Sequence, residues 1–385
     1  MKFKRVTAIA LCAAALFVQL TSCAGDTDKA EETPSAAVED DISDGTGIDY
    51  EAAYSAFAPD TVMLTAGGLD VTWDVLYYFI CAAIGEVTSA TGVEPDWGAE
   101  TEGQSLSFDE QIMTRALDSV MTCKAIEYAA GEVGVSLTDD DRAEISLNQE
   151  SAESQLGGRE AFLEYLNENH ASYDVYIYLS GIDYLYENIV TEKYGEGAEQ
   201  YPDSDVELYI GDEGFIMVKH IFLKTTETDE DGEEIPMTEE EAEATLAEAE
   251  EILAELKAYS GDDFGAYFDE AMSRFSEDSG GLNMYPGGYL FREGQAMPEL
   301  EAAALNMDIG ELSDVIRSES GYHIIYRLPI DYDAVPQEYS WTPMNTLRAV
   351  AARDAFGHYL EELKIEMGKT ESDAYKNLDL ASVFK

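Results

Sequence analysis

Phe215-Ile216-Met217-Val218-Lys219-His220-Ile221-Phe222-Leu223 is a nearly continuous apolar run, broken by one lysine and one histidine. A run of this kind reads as a buried β-strand. It follows a boundary at Tyr201-Pro202 and Asp203 to Asp205, before which the apolar period is helical. After the run, Thr225 to Pro236 is an acidic, glycine-containing loop. Thr238, with Glu241 three residues on, forms a capping box that opens a helix carrying Leu246, Ala249, Leu253 and Leu256 on one face. A second helix carries Phe264, Phe268, Met272 and Phe275. Pro286-Gly287-Gly288 turns into a short strand, Tyr289-Leu290-Phe291, and Pro298 starts a short helix through Leu305. Asp308-Ile309-Gly310 is a turn, and Val315-Ile316 and His323 to Leu328 are two further strands. Strand, helices, strand, helix, strand, strand is the element order of a small α/β domain of about 115 residues.

Working outward, residues 60 to 201 read as mostly helical. Val62 to Thr72 is a short strand, a Gly67-Gly68 turn and a helix start, with Thr72 as N-cap of a helix carrying Val75, Leu76, Phe79 and Ile80. Ile112, Ala116, Val120 and Ala125 recur at helical spacing between Phe108 and Val133. Thr138 caps a further helix, Gly157-Gly158 interrupts the pattern, and Phe162, Leu166, Tyr176, Leu179 and Ile182 continue it. At the other end Leu347, Val350, Ala351, Phe356, Leu360 and Leu363 mark a helix between Pro343 and Met367. A lone helix is marginal in water, so this one is expected to pack on the N-terminal helices and make one domain from both chain ends.

The chain opens with Lys2, Lys4 and Arg5, continues with an apolar stretch from Val6 to Leu20 and ends this segment in Leu20-Thr21-Ser22-Cys23. The stretch is short for a membrane span and right for a signal-peptide core. The Leu-Thr-Ser-Cys ending resembles the lipobox of bacterial lipoproteins, in which the chain is cut before the cysteine and the thiol is diacylated. Two acyl chains give stable anchoring. Residues 1–22 are therefore expected to be a leader and Cys23 a lipidation site. Residues 23–58, rich in Asp, Glu, Gly, Ser and Thr, bury too little to offset ordering entropy and read as a disordered tether.

The formal net charge is −58, a field that disfavours nucleic acid as a partner. Four cysteines are present, of which Cys12 goes with the leader and Cys23 takes the lipid. Cys81 and Cys123 remain, either bridged or as two buried free thiols; spacing does not decide between them. With four histidines and no CxxC or His/Cys cluster, neither a metal nor another cofactor is expected.

Four segments resemble the parvulin family of peptidyl-prolyl isomerases, in order. Val218-Lys219-His220-Ile221 is similar to the family's first-strand histidine motif. Phe275-Ser276-Glu277-Asp278-Ser279 resembles its FS-D-S turn, and Gly287-Gly288-Tyr289-Leu290-Phe291 with Gly294-Gln295 its GGDLG segment. Ser320-Gly321-Tyr322-His323-Ile324-Ile325 resembles its closing GYHII strand. The lipobox and the helical domain split around this segment resemble the layout of extracellular foldase lipoproteins of Gram-positive bacteria.

The resemblance implies an α+β protein. A central parvulin-like domain, residues 206–332, has a four-stranded antiparallel sheet with flanking helices. A helical, chaperone-like domain combines residues 59–205 with a C-terminal helix in 340–385. It implies His220, Asp278, Ser320 and His323 as catalytic residues, with the paired histidines orienting one another and Ser320 hydrogen-bonded into their network. Tyr289, Phe291, Met297 (or Ala296) and Leu300 would line the proline cup. The implied function is non-covalent twisting of Xaa-Pro amides in unfolded or newly exported polypeptides, at the extracytoplasmic face of the cell membrane. The acidic loop from Lys224 to Met237 lacks the basic cluster of phosphoserine-dependent parvulins. Because the cup residues depart from the family's Leu, Met and Phe, a chaperone with little isomerase activity is the alternative. Whether a second copy completes a homodimer is left open.

Overall fold

The computed structural model describes residues 47–91, 97, 106–228, 234–339 and 345–384; Cys23 and the leader lie outside these. The chain divides into two compact units. One combines the residues up to Lys193 with Ala355–Lys385, and the other is Tyr194–Asp354. No helix among the described residues is long and apolar enough to cross a membrane.

The first unit begins with α1 (Tyr50–Tyr54), β1 (Val62–Ala66) and β2 (Leu69–Thr72), followed by α2 (Trp73–Thr91) and α3 (Phe108–Val133). Thr72, the last residue of β2, directly precedes α2; its hydroxyl donates to Asp74 Oδ1 at 2.5 Å, and Asp74 takes the Val75 N–H. Then come α4 (Asp139–Leu156), α5 (Arg159–Glu168) and α6 (Tyr173–Tyr194). Thr138 and Asp141 form a reciprocal capping box that satisfies two of the free N–H groups at the start of α4. Trp73, Leu76, Ile80, Ile112, Val120, Phe162, Leu179 and Ile189 are buried in this unit. Cys81 and Cys123 are both buried, and no disulfide joins them.

The second unit starts with α7 (Asp203–Glu213) and β3 (Ile216–Lys224). The acidic loop after β3 carries a small antiparallel stem, β4 (Thr226–Thr228) against β5 (Glu234–Pro236). α8 (Glu239–Ala258) opens on the Thr238–Glu241 capping box, and α9 (Phe264–Phe275) and α10 (Ser279–Asn283) follow. β6 (Tyr289–Phe291), α11 (Pro298–Leu305), β7 (Ile316–Arg317) and β8 (Gly321–Leu328) complete the unit's sheet and its covering helices. The sheet order is β6-β3-β8-β7, and every neighbouring pair is antiparallel.

Side chains alternate faces along a strand, and here both faces are used. Ile221, Leu223, Tyr322 and Ile324 pack against Leu253 and Leu256 of α8 and Phe268 and Met272 of α9. On the other face Ile216, Val218, Ile325 and Phe291 pack against Leu300 and Ala304 of α11. His220 and Phe222 follow Ile216 and Val218 in the same two-residue period. They therefore continue that second face past the α11 cluster.

The C-terminal segment contributes α12 (Leu347–Met367), β9 (Lys369–Glu371), α13 (Asp373–Lys376) and α14 (Leu380–Val383). Within the first unit, Phe356 meets Tyr186 at 5.1 Å between ring centroids, and Lys364 Nζ donates to Asp118 Oδ1 at 2.6 Å. β9, which no sequence pattern announces, pairs antiparallel with β1 as the third strand of a sheet ordered β2-β1-β9.

Candidate active site

The face beyond α11 carries a chain of hydrogen-bonded polar side chains. In the β3–β8 register Phe222 lies opposite His323 and His220 opposite Ile325, so the two histidines sit two rungs apart on one face. Their rings are nearly parallel, 5.4 Å apart, and their Nδ1 atoms are 3.3 Å from each other. Phe222 covers His323 face-on at 4.6 Å. His323 is 0% exposed and His220 6%.

Asp278 reaches the histidines from a turn that is stitched to the free side of β3. The Glu277 N–H donates to the Phe222 carbonyl at 2.8 Å, and the Phe222 N–H donates to Ser276 Oγ at 3.1 Å. The Lys224 N–H donates to Glu277 Oε2 at 2.7 Å. β6 pairs only with Ile216 to Val218, so the turn supplies partners that the rest of this edge would otherwise lack. Asp278 then caps α10, its Oδ1 accepting the Gly280 N–H at 3.1 Å. Its other oxygen, Oδ2, lies 2.6 Å from His220 Nε2 and accepts the Tyr289 hydroxyl at 2.7 Å.

These contacts fix protonation. Burial alone would push the Asp278 carboxyl up. Hydrogen bonds from His220 and Tyr289, the charge of His220 and the Gly281 N–H outweigh that and hold it well below the usual carboxylate range. An ionised carboxylate only accepts, so His220 Nε2 carries a proton. If His220 is neutral, its Nδ1 accepts from His323 Nδ1–H, and His323 Nε2 accepts from Ser318 Oγ–H, 2.8 Å away. If His220 is charged, each of those two bonds reverses and every member is still paired. Burial first, and then the charge of His220, pull His323 down from 6.5 to about 4, so His323 is neutral at neutral pH.

The sequence-derived site residues divide into two groups. His220, Asp278 and His323 come together directly. Ser320 does not bond either histidine. Its Oγ lies 3.2 Å from Ser318 Oγ, and Ser318 is the residue that meets His323. The turn that brings Ser318 there closes through its own N–H to the Gly321 carbonyl at 2.8 Å. Tyr289 lies at the site, but its hydroxyl is engaged by Asp278 and its ring meets His220 edge-on at 5.4 Å. Phe291 and Leu300 are 2% and 6% exposed, inside the cluster between the sheet and α11, where they cannot line an open cup. Met297, the residue before α11, is partly exposed. Among the described residues no group of three or more His, Cys, Asp or Glu side chains is arranged to hold a metal ion.

A four-stranded antiparallel sheet flanked by helices, with two stacked histidines tied to a capping aspartate on one face, is the arrangement of a parvulin-type isomerase domain. Residues 220–328 match the family model "PPIC-type PPIASE domain", and this segment of the chain is a domain of that class. Among curated proteins the chain is similar to the foldase protein PrsA of Oceanobacillus iheyensis, 34% identical over 157 residues, 37% of this chain and 50% of the relative. It is also similar to the chaperone SurA of Methylobacillus flagellatus, 31% identical over 148 residues, 38% of this chain and 30% of the relative. The chain thus spans half the length of the first relative and less than a third of the second. A crystal structure of peptidylprolyl isomerase (PrsA) from Bacillus anthracis aligns with 65% of this chain and 94% of its own, at 21% identity and a TM-score of 0.23. That superposition is too loose to place any residue of the site.

Proposed function

We propose that the chain is a peptidyl-prolyl isomerase and foldase, anchored through lipidated Cys23 on the extracytoplasmic face of a bacterial membrane and acting on exported polypeptides. The observation that carries this reading is the chain Asp278–His220–His323–Ser318, laid across adjacent strands of a PPIC-type domain. The barrier to rotation about an Xaa-Pro amide, about 18–20 kcal/mol, comes from amide resonance. In the planar amide the carbonyl oxygen carries part of the nitrogen's electron density; in the twisted amide that density returns to the nitrogen. Asp278 sets a fixed negative charge beside the face that the amide would occupy. It disfavours the planar, charge-separated form relative to the twisted one. The paired histidines are locked from both ends, so this field needs no reorganisation when the amide turns.

The described residues of the loop after β3 that carry charge, Glu227 and Glu234, are acidic, which argues against a phosphoserine requirement before proline. A second reading, a chaperone with little turnover, is favoured by one observation: Phe291 and Leu300 are in the core and the Tyr289 hydroxyl is occupied. Refolding of a client whose slow phase is limited by proline isomerisation separates the two, since that phase takes tens of seconds or more uncatalysed. The isomerase reading expects catalytic amounts of the protein to shorten the phase. Suppressed aggregation with an unchanged slow phase contradicts it. For the anchor, Cys23→Ala is expected to move the protein from the membrane fraction to the medium, and an unchanged distribution contradicts lipidation.

A further inference from the structure

Tyr289 was expected to line a proline cup, yet its hydroxyl is turned into the polar chain. Both Tyr289 Oη and His220 Nε2 converge on the same carboxylate oxygen, Asp278 Oδ2, at 2.7 and 2.6 Å. The tyrosine ring stands edge-on to His220 at 5.4 Å and is backed by Tyr285 at 4.9 Å, so the phenol is held from two sides. The backbone beneath is built to admit it. A Cβ on Gly280 would come within 3.0 Å of the Tyr289 hydroxyl, and one on Gly281 within 2.6 Å of Asp278 Oδ2 and 3.3 Å of the Tyr289 ring. Two consecutive glycines leave the phenol and the carboxylate room to meet. The donor is thus part of the local fold and not a side chain that happens to point inward.

We propose that Tyr289 is a positioning residue of the isomerase site, which holds the Asp278 carboxylate ionised and turned toward His220. The proposal rests on the isomerase reading for its effect on turnover, but the interaction itself is testable without it. Partly buried between His220 and Tyr289, the carboxylate loses solvation; a second donor on Oδ2 replaces the water that burial removes. With Oδ2 doubly bonded and Oδ1 held by Gly280, Asp278 acts on substrate through its charge and not as a proton donor. His220 must then keep its proton on Nε2, facing the carboxylate. Tyr289 reaches the reacting amide only through Asp278.

The test is the titration of the full chain labelled with carboxyl-13C aspartate, with the Asp278 signal assigned by its loss in Asp278→Asn. Tyr289→Phe keeps the ring and removes the donor. The variant is expected to bind a proton at Asp278 about tenfold more readily, and its kcat/KM for Xaa-Pro peptides to gain an acid limb that follows this titration. An Asp278 midpoint unchanged from wild type overturns the proposal. The reciprocal measurement is independent of how Tyr289→Phe folds: in Asp278→Asn, the labelled Tyr289 phenol is expected to ionise about tenfold more readily, because the facing charge is gone. A Tyr289 titration unmoved by that substitution also overturns it. If wild type accelerates no Xaa-Pro peptide, the isomerase reading falls while these titrations still decide the role of Tyr289.

Discussion

His323 is the residue on which the polar chain closes, and its other partner separates two serines that look interchangeable in Ser318-Glu319-Ser320. Ser318→Ala leaves a buried imidazole nitrogen without a partner, a cost of about 1–3 kcal/mol. We expect it to lower kcat/KM about tenfold, with Ser320→Ala changing it less than threefold; equal effects in a peptide assay contradict the arrangement. The titration of His323 adds a stability prediction. Its unfolded value is 6.5 and its folded value about 4. Between these the unfolded chain binds a proton that the folded site refuses, so this contribution falls as pH drops from 6.5 towards 4 and is constant outside that window. The span is at most about 3 kcal/mol. The denaturant midpoint should fall less between pH 7 and about pH 4.5 for His323→Gln than for wild type, and equal falls contradict a buried neutral imidazole. The histidines and Asp278 were legible because their motifs answer to local geometry. Gly321, for example, precedes His323 where a Cβ would meet the Leu223 carbonyl at 2.1 Å. Ser318 was not legible, because its reach depends on how the turn before Gly321 closes.

At the level of elements, the order from β3 to β8 follows from the sequence pattern except for the β4–β5 stem and α10, and the caps read at Thr138 and Thr238 form. What the pattern also left out was depth. Phe291 and Leu300 occupy positions that resemblance assigns to a substrate cup, but docking of α11 on β3, β6 and β8 draws both into the core. Burial of that kind depends on how one helix seats on three strands, which no local motif encodes. The consequence is measurable. Leu300→Ala is expected to lose about 2–5 kcal/mol of stability by urea denaturation, as a buried cavity does, while the folded variant keeps KM for Xaa-Pro peptides within about twofold. A raised KM with unchanged stability would restore Leu300 to the cup. β9 was missed for a different reason: Lys369-Thr370-Glu371 is too short and too polar to show a strand pattern, and it is made a strand by its distant partner β1.

For the whole molecule, the two units differ in what their sequences disclose. The segment matching the PPIC-type family carries a site whose members bond one another directly, whereas the helical unit offers a core and two buried thiols. The strongly negative charge, −58, sets a field that disfavours polyanions. It does not distinguish a foldase from a holdase, and activity has to make that distinction. The most direct measurement is exchange NMR of short Xaa-Pro peptides of neutral, basic and phosphorylated type, with the full chain and with its Asp278→Ala and His323→Ala variants. The account predicts faster cis-trans exchange for unphosphorylated peptides, no advantage for the phosphorylated one, and a loss of at least tenfold in both variants with the fold retained. Exchange no faster than in buffer, or acceleration that survives both substitutions, would contradict it.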